Sequence, residues 1–261
     1  MTTLDRNWRL PPPLRAVRAA FVFFSRVPVG GFPYSKEDWK WAAAHAPFVG
    51  LVLGGVLGQL ERTLLPLGQF PAALLVIALS LLLTGAFHED GLADTSDALG
   101  GGYNVERVLS ILKDSRIGAF GGAALVVSIV GRAALLAQLN ESVVFVFPLV
   151  FCAARVGPIW LMASMKYVTA EEPAKSRDLS RAGISQASVA SAWLVLVSII
   201  FVRTGQISAE KMGMLITALA LTTGFTGWRY WVRARGITGD FLGATEQLCE
   251  LVALAVLAWK I

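Results

Sequence analysis

The sequence predicts an all-α fold, a polytopic transmembrane helical bundle of about seven spans with an N-terminal interfacial or re-entrant helix. Three observations predict it. Only 16% of the 261 residues are charged and 55% are hydrophobic, whereas a soluble domain carries about 25% charged residues. Apolar runs recur at lengths near the roughly 20 residues that a bilayer crossing needs. Basic residues alternate in density from one connecting segment to the next. This composition excludes a disordered chain and argues against an ordinary soluble domain. Cys152 and Cys249 both sit in apolar runs, so no disulfide or zinc framework is implied.

The elements follow in order. Residues 1–40 form a cytoplasmic or interfacial N-terminal segment of a single membrane domain covering 1–261. Within it, Ala19–Val29 is too short to span, with Arg15 and Arg18 just before it and Arg26 inside it. Arg26 and Pro28 interrupt this run, which therefore does not read as a secretory signal peptide. Spans are expected near Trp41–Leu60, Phe70–Phe87, Gly118–Leu139, Val143–Ala163, Ser188–Phe201, Met212–Trp228 and Leu242–Trp259. Gly50, Gly54, Gly55 and Gly58 in the first would let helices approach closely.

The connecting segments fix the orientation. Those on one side hold 17 basic residues and the alternate ones only Arg62, Arg203 and Lys211. The positive-inside rule makes the richer side cytoplasmic. The net charge of +5 is thus accounted for without nucleic acid.

The acids are not spread evenly. Glu89, Asp90, Asp94 and Asp97 fall within nine residues where the second apolar run ends. On a helix, at about 100° per residue, Asp94 lies about 40° from Asp90 and Asp97 about 20° to the other side. Three like charges on one face repel, and a cation would relieve them. Mg²⁺ takes oxygen ligands and commonly bridges protein carboxylates to substrate phosphates. A solvated acidic loop is the plain alternative. The shared face, the abutting span and the small residues between the acids favour a site. His88 alongside is equally suited to packing.

Gly100, Gly101 and Gly102 follow, expected to break the helix and permit a sharp turn or close backbone approach. A short amphipathic helix then leads to Lys113, Asp114 and Arg116. Lys113 and Arg116 suit phosphate, or serve only as basic flanks of the next span. Asp114 could ligate a metal or hold one of those cations. Near the end, Asp240 stands where a helix N-cap would be, beside Gly236, Thr238 and Gly239. Glu250 lies inside an apolar run and needs a partner such as Arg132 or Arg155. Arg177 and Arg181 lie in a basic loop that could close over a phosphorylated substrate, or simply set topology. The collection is a kit for binding pyrophosphate through Mg²⁺ beside a membrane.

The block from His88 through Gly102 closely resembles the signature of the cobalamin synthase family, the adenosylcobinamide-GDP ribazoletransferases. Lys113–Gly118 and Gly236–Ala244 with Glu250 resemble the family's second and third blocks, and weaker likeness runs through Phe24–Val29 and Pro47–Gly50. Ala98 and Gly85-Ala86-Phe87 depart from the family pattern without removing a charge. The resemblance implies that adenosylcobinamide-GDP and α-ribazole, or its 5′-phosphate, react to give adenosylcobalamin, or its phosphate, and GMP. It implies Mg²⁺ as cofactor, with Asp90, Asp94 and Asp97 as ligands and Glu89 as outer ligand or base. Lys113 and Arg116 would hold the pyrophosphate, and Asp114 would orient them or bind a second ion. His88, Gly100, Gly101, Gly102, Arg177, Arg181, Thr238 and Asp240 would line the substrate site. The implied setting is a prokaryotic cytoplasmic membrane, with lipid as surroundings and room for a homo-oligomer or a complex with other late cobalamin enzymes. Two other readings compete: a different Mg²⁺-dependent membrane phosphotransferase, of CDP-alcohol or prenyl-diphosphate type, and a cation transporter. A transporter would place its ionisable groups mid-span rather than at one face.

Overall fold

A computed structural model describes residues 12–30, 34–139, 143–168 and 182–259. Most of these residues are helical. Among them no strand forms, only an isolated parallel bridge between Tyr167 and Ile237.

Helix α1 (Pro12–Phe24) is followed by α2 (Lys36–Ala42), which runs through a 3₁₀ turn into α3 (Ala46–Leu64). Ser35 caps α2 in a reciprocal box with Asp38, and Arg15 of α1 pairs with Asp38 at 2.9 Å. The amphipathic α1 thus docks on the start of the first span, as expected of an interfacial segment. Helix α4 (Gln69–Thr84) leads into α5 (Phe87–Gly101) and the short α6 (Val105–Ile111). Then come α7 (Ala119–Leu136), α8 (Val143–Ala154), α9 (Val156–Ser164), α10 (Ile184–Arg203), α11 (Ala209–Ala234) and α12 (Gly239–Ala258).

Five helical stretches are long and apolar enough to cross a membrane: Lys36–Leu67, Ala119–Leu136, Val144–Ser164, Ile184–Arg203 and Gly239–Ala258. A sixth arises if α4 and α5, bent by 94°, count as one broken span. The seventh expected span, Met212–Trp228, falls on α11, whose threonines and charges leave it short of that composition. Even so, α11 is 26 residues long and runs antiparallel to α12. Lys211 at its start donates to the Trp259 carbonyl at 2.8 Å, and Tyr230 near its end stacks on Phe241 with centroids 4.2 Å apart.

The core lies between α3, α8 and α12. Gly54 of α3 sits so close to α8 that an added Cβ would come 2.6 Å from the Phe147 carbonyl oxygen. Gly50 meets Phe151 still more tightly, whereas Gly55 faces open space. Small residues here do what they do between membrane helices generally, bringing backbones into contact.

Candidate active site

The site begins with a turn. Gly85 and Ala86 both adopt left-handed backbone angles, φ 71° and 55°. Glycine takes this region without cost; Ala86 does not. The pair swings the chain by 94°, so α5 leaves the line of α4 instead of extending it. We read α5 as lying outside the spanning segments. Gly100 and Gly101 do not break α5; the helix runs through Gly101 and ends at Gly102. The close approach expected of these glycines is present: Gly100 lies under the Phe120 ring and Gly102 against Val108. Arg233 of α11 donates to the Leu99 and Gly102 carbonyls, placing a cation at the helix C-terminus.

Helix α5 sorts its acids by face. Asp90 is exposed and Asp94 and Asp97 half-buried along one side, as the spacing predicts. Gly91 lets the first turn of α12 lie against the helix: a Cβ there would stand 2.7 Å from the Asp240 carbonyl oxygen. This brings the Asp240 carboxylate beside Asp94. Partial burial first, then Asp90, Asp240 and Asp97, push the Asp94 carboxyl up to about 6. Asp240 is not the N-cap of α12. Thr238 has that role, its hydroxyl accepting from the Phe241 N–H at 3.3 Å, and Asp240 sits within the first turn.

Asp97 has a structural task of its own. Its carboxylate accepts from the backbone N–H of Gly118 at 2.7 Å and of Gly121 at 2.9 Å. Helix α7 lacks a side-chain cap from its own sequence, and Asp97 supplies one from α5. A carboxylate there also complements the helix dipole.

The expected five-residue metal set does not converge. Among the described residues, no three His, Cys, Asp or Glu side chains group so as to hold an ion by themselves. Glu89 turns to the opposite side, where it is buried on Arg132. Asp114 lies in the loop before α7, and both its oxygens bind Arg116, at 2.9 and 2.7 Å. Those bonds hold the Asp114 carboxyl down at about 2. Asp114 thus anchors a cation, one of its two expected roles. What stays available is Asp90 and Asp94 with Asp240 beside them. Like charges crowded enough to raise a carboxyl's pKa fit an ion that completes its shell with water and phosphate oxygens.

Lys113 and Arg116 are exposed on the same stretch of chain. His88 is buried, 3.8 Å from Glu246, and does not share the aspartate face. Arg177 and Arg181 lie outside the described residues.

Behind α5 is a buried charge network. Arg132 of α7, only 1% exposed, binds Glu89 at 3.0 Å and Glu250 at 2.8 Å. Arg155, at the α8–α9 junction, binds Glu246 at 2.9 Å and Glu250 at 3.4 Å. Glu250 therefore has both of its expected partners. Sequence reasoning missed that Glu89 and Glu246 join them. The signal was present: Glu246 and Glu250 are four residues apart on one helix, and arginines inside apolar runs need carboxylates.

A family model described as cobalamin-5-phosphate synthase matches residues 16–258. Among curated proteins, the adenosylcobinamide-GDP ribazoletransferase of Vibrio cholerae O395 is 36% identical over 244 residues, 91% of this chain and 91% of that one. The enzyme of the same name from Rhizobium johnstonii is 35% identical, over 92% and 94%. That of Polaromonas sp. JS666 is 34% identical, over 91% and 94%. No solved structure matches the chain.

Proposed function

The chain belongs to the cobalamin-5-phosphate synthase family, and from that premise we propose that it is an adenosylcobinamide-GDP ribazoletransferase. It joins adenosylcobinamide-GDP to α-ribazole, or its 5′-phosphate, and releases GMP. Similarity over nine-tenths of both chains carries this reading, and the crowded carboxylates at Asp94 support its place.

The ribazole hydroxyl attacks the phosphorus that bears cobinamide. A P–O bond to that phosphorus forms, the bond to the GMP phosphate breaks, and GMP leaves with the bridging oxygen. The hydroxyl proton departs to the solvent bordering the exposed Asp90 carboxylate. Positioning and charge stabilisation are the main work in such transfers. Lys113 and Arg116 bind the pyrophosphate oxygens, and Asp114 fixes the Arg116 fork for bidentate contact. Asp90 and Asp94 would hold Mg²⁺, which when bound would supply positive charge for the pyrophosphate. Asp240 stands beside them. Asp97 keeps α7 and the Lys113–Arg116 loop next to that face. Glu89, paired with Arg132, is a positioning residue rather than a ligand or base.

The same end of the bundle gathers Arg26, which bonds the Leu83 carbonyl at 2.6 Å, and Arg233 and Lys166. The positive-inside rule makes it cytoplasmic, in a bacterial inner membrane. The test is conversion of adenosylcobinamide-GDP and α-ribazole to cobalamin and GMP by protein reconstituted in liposomes. Turnover with Mg²⁺ that EDTA stops supports the reading; a CDP-alcohol turned over instead, with no corrinoid product, overturns it.

A further inference from the structure

On the side of α5 away from the aspartates lies a crevice of about 490 Å³, walled by α5, α7, α11 and α12. Its size suits part of a small molecule. Leu92, Leu99 and Leu251 line the inside. At the mouth stand Phe120 and Val127 of α7 and Phe225 of α11, all more than half exposed. These residues continue the exposed apolar rows of the two helices, which include Val126 and Val130 of α7 and Leu221 of α11, and α7 is long and apolar enough to cross a membrane.

The lining also carries Ser96, Ser128, Thr226, Tyr230 and Gln247, and two further polar residues bear on what it could hold. Thr95, 5% exposed, lines the crevice, and its buried hydroxyl has no hydrogen-bond partner. Arg229 also lines the crevice, its guanidinium 5.8 Å over the Trp228 ring and, among the described residues, in no ion pair. Trp228 and Trp231 are both exposed around it, and tryptophans at such a helix end mark the headgroup level. A second crevice, about 670 Å³ between α9, α10 and α11, has no charged residue in its lining.

We propose that the crevice under α5 binds an anionic phospholipid of the surrounding leaflet. An acyl chain enters between α7 and α11, and the phosphate meets Arg229. Arg229 selects charge: an anionic headgroup brings no cation of its own, whereas a choline headgroup does. The lipid then forms part of the floor on which the aspartate helix rests.

The experiment measures lipid retention by native mass spectrometry of the full chain in detergent. The protein is stripped of lipid and offered equimolar phosphatidylglycerol and phosphatidylcholine. Wild type retains phosphatidylglycerol about fivefold better, the weight of one basic residue at an anionic surface. Arg229→Gln removes the preference and Arg229→Lys keeps it. Ala124→Trp, filling the crevice, removes the tightly held lipid. Leu194→Trp, in the second crevice, leaves the preference unchanged. If Ala124→Trp fails to fold, Arg229→Gln decides, since that side chain makes no ion pair whose loss would unfold the chain. Equal retention of the two lipids by wild type, an unchanged preference in Arg229→Gln, or displacement of the lipid by α-ribazole or inorganic phosphate overturns the proposal.

Discussion

Replacing Arg132 with Gln should be among the most damaging single changes in the bundle. Glu89, Glu246 and Glu250 face Arg132 and Arg155, so three buried carboxylates already meet only two guanidiniums. Without Arg132, three would face one, and Glu89 would lose its only ion-pair partner among the described residues. Removing one member of a buried pair costs about 3–5 kcal/mol. In a chain of this size each kcal/mol moves the melting temperature by about 2–4 °C, so the fall should be about 6–20 °C. Glu250→Gln should cost less, because it leaves two carboxylates facing two guanidiniums. The assay is thermal unfolding of wild type and both variants in one detergent. If Arg132→Gln melts within about 2 °C of wild type, or Glu250→Gln is the more damaging, the charge account of the network is wrong.

Three further outcomes follow from the site. Asp94→Asn should raise the melting temperature of the metal-free protein, because it removes a charge that Asp90, Asp240 and Asp97 repel; a lower melting temperature would contradict this. Asp97→Ala should cost about 1–2 kcal/mol through the lost cap of α7, read by thermal unfolding, with Asp97→Asn milder. Gly91→Val places side-chain atoms where a Cβ alone already stands 2.7 Å from the Asp240 carbonyl; it should separate α5 from α12 and abolish GMP release while membrane insertion persists.

Much of the fold was legible because lipid imposes a strong length and composition code. The spans, the alternation of basic segments and the common face of Asp90, Asp94 and Asp97 all follow from period and composition. The bend at Gly85 and Ala86 was not legible, since Ala86 has no intrinsic preference for its left-handed angle and tertiary packing holds it there. Glu89 looked like one of four clustered acids. Which way it points depends on the rotation of α5 against α7, and Arg132 is 43 residues away in the chain. Asp240 resembled a cap because it precedes an apolar run, but the helix starts two residues earlier than such a cap would set it, and Thr238 takes the role. α11 shows the opposite case: its periodicity is that of a span, yet threonines dilute its hydropathy.

The central claim is that the aspartate face of α5 is where ribazole is transferred. The most direct measurement is GMP release from adenosylcobinamide-GDP and α-ribazole by wild type and Asp94→Asn in liposomes, at equal amounts of inserted protein. Release by wild type with Mg²⁺, and none above background by Asp94→Asn, is the predicted result. Wild-type rates in the variant would place the chemistry elsewhere in the bundle.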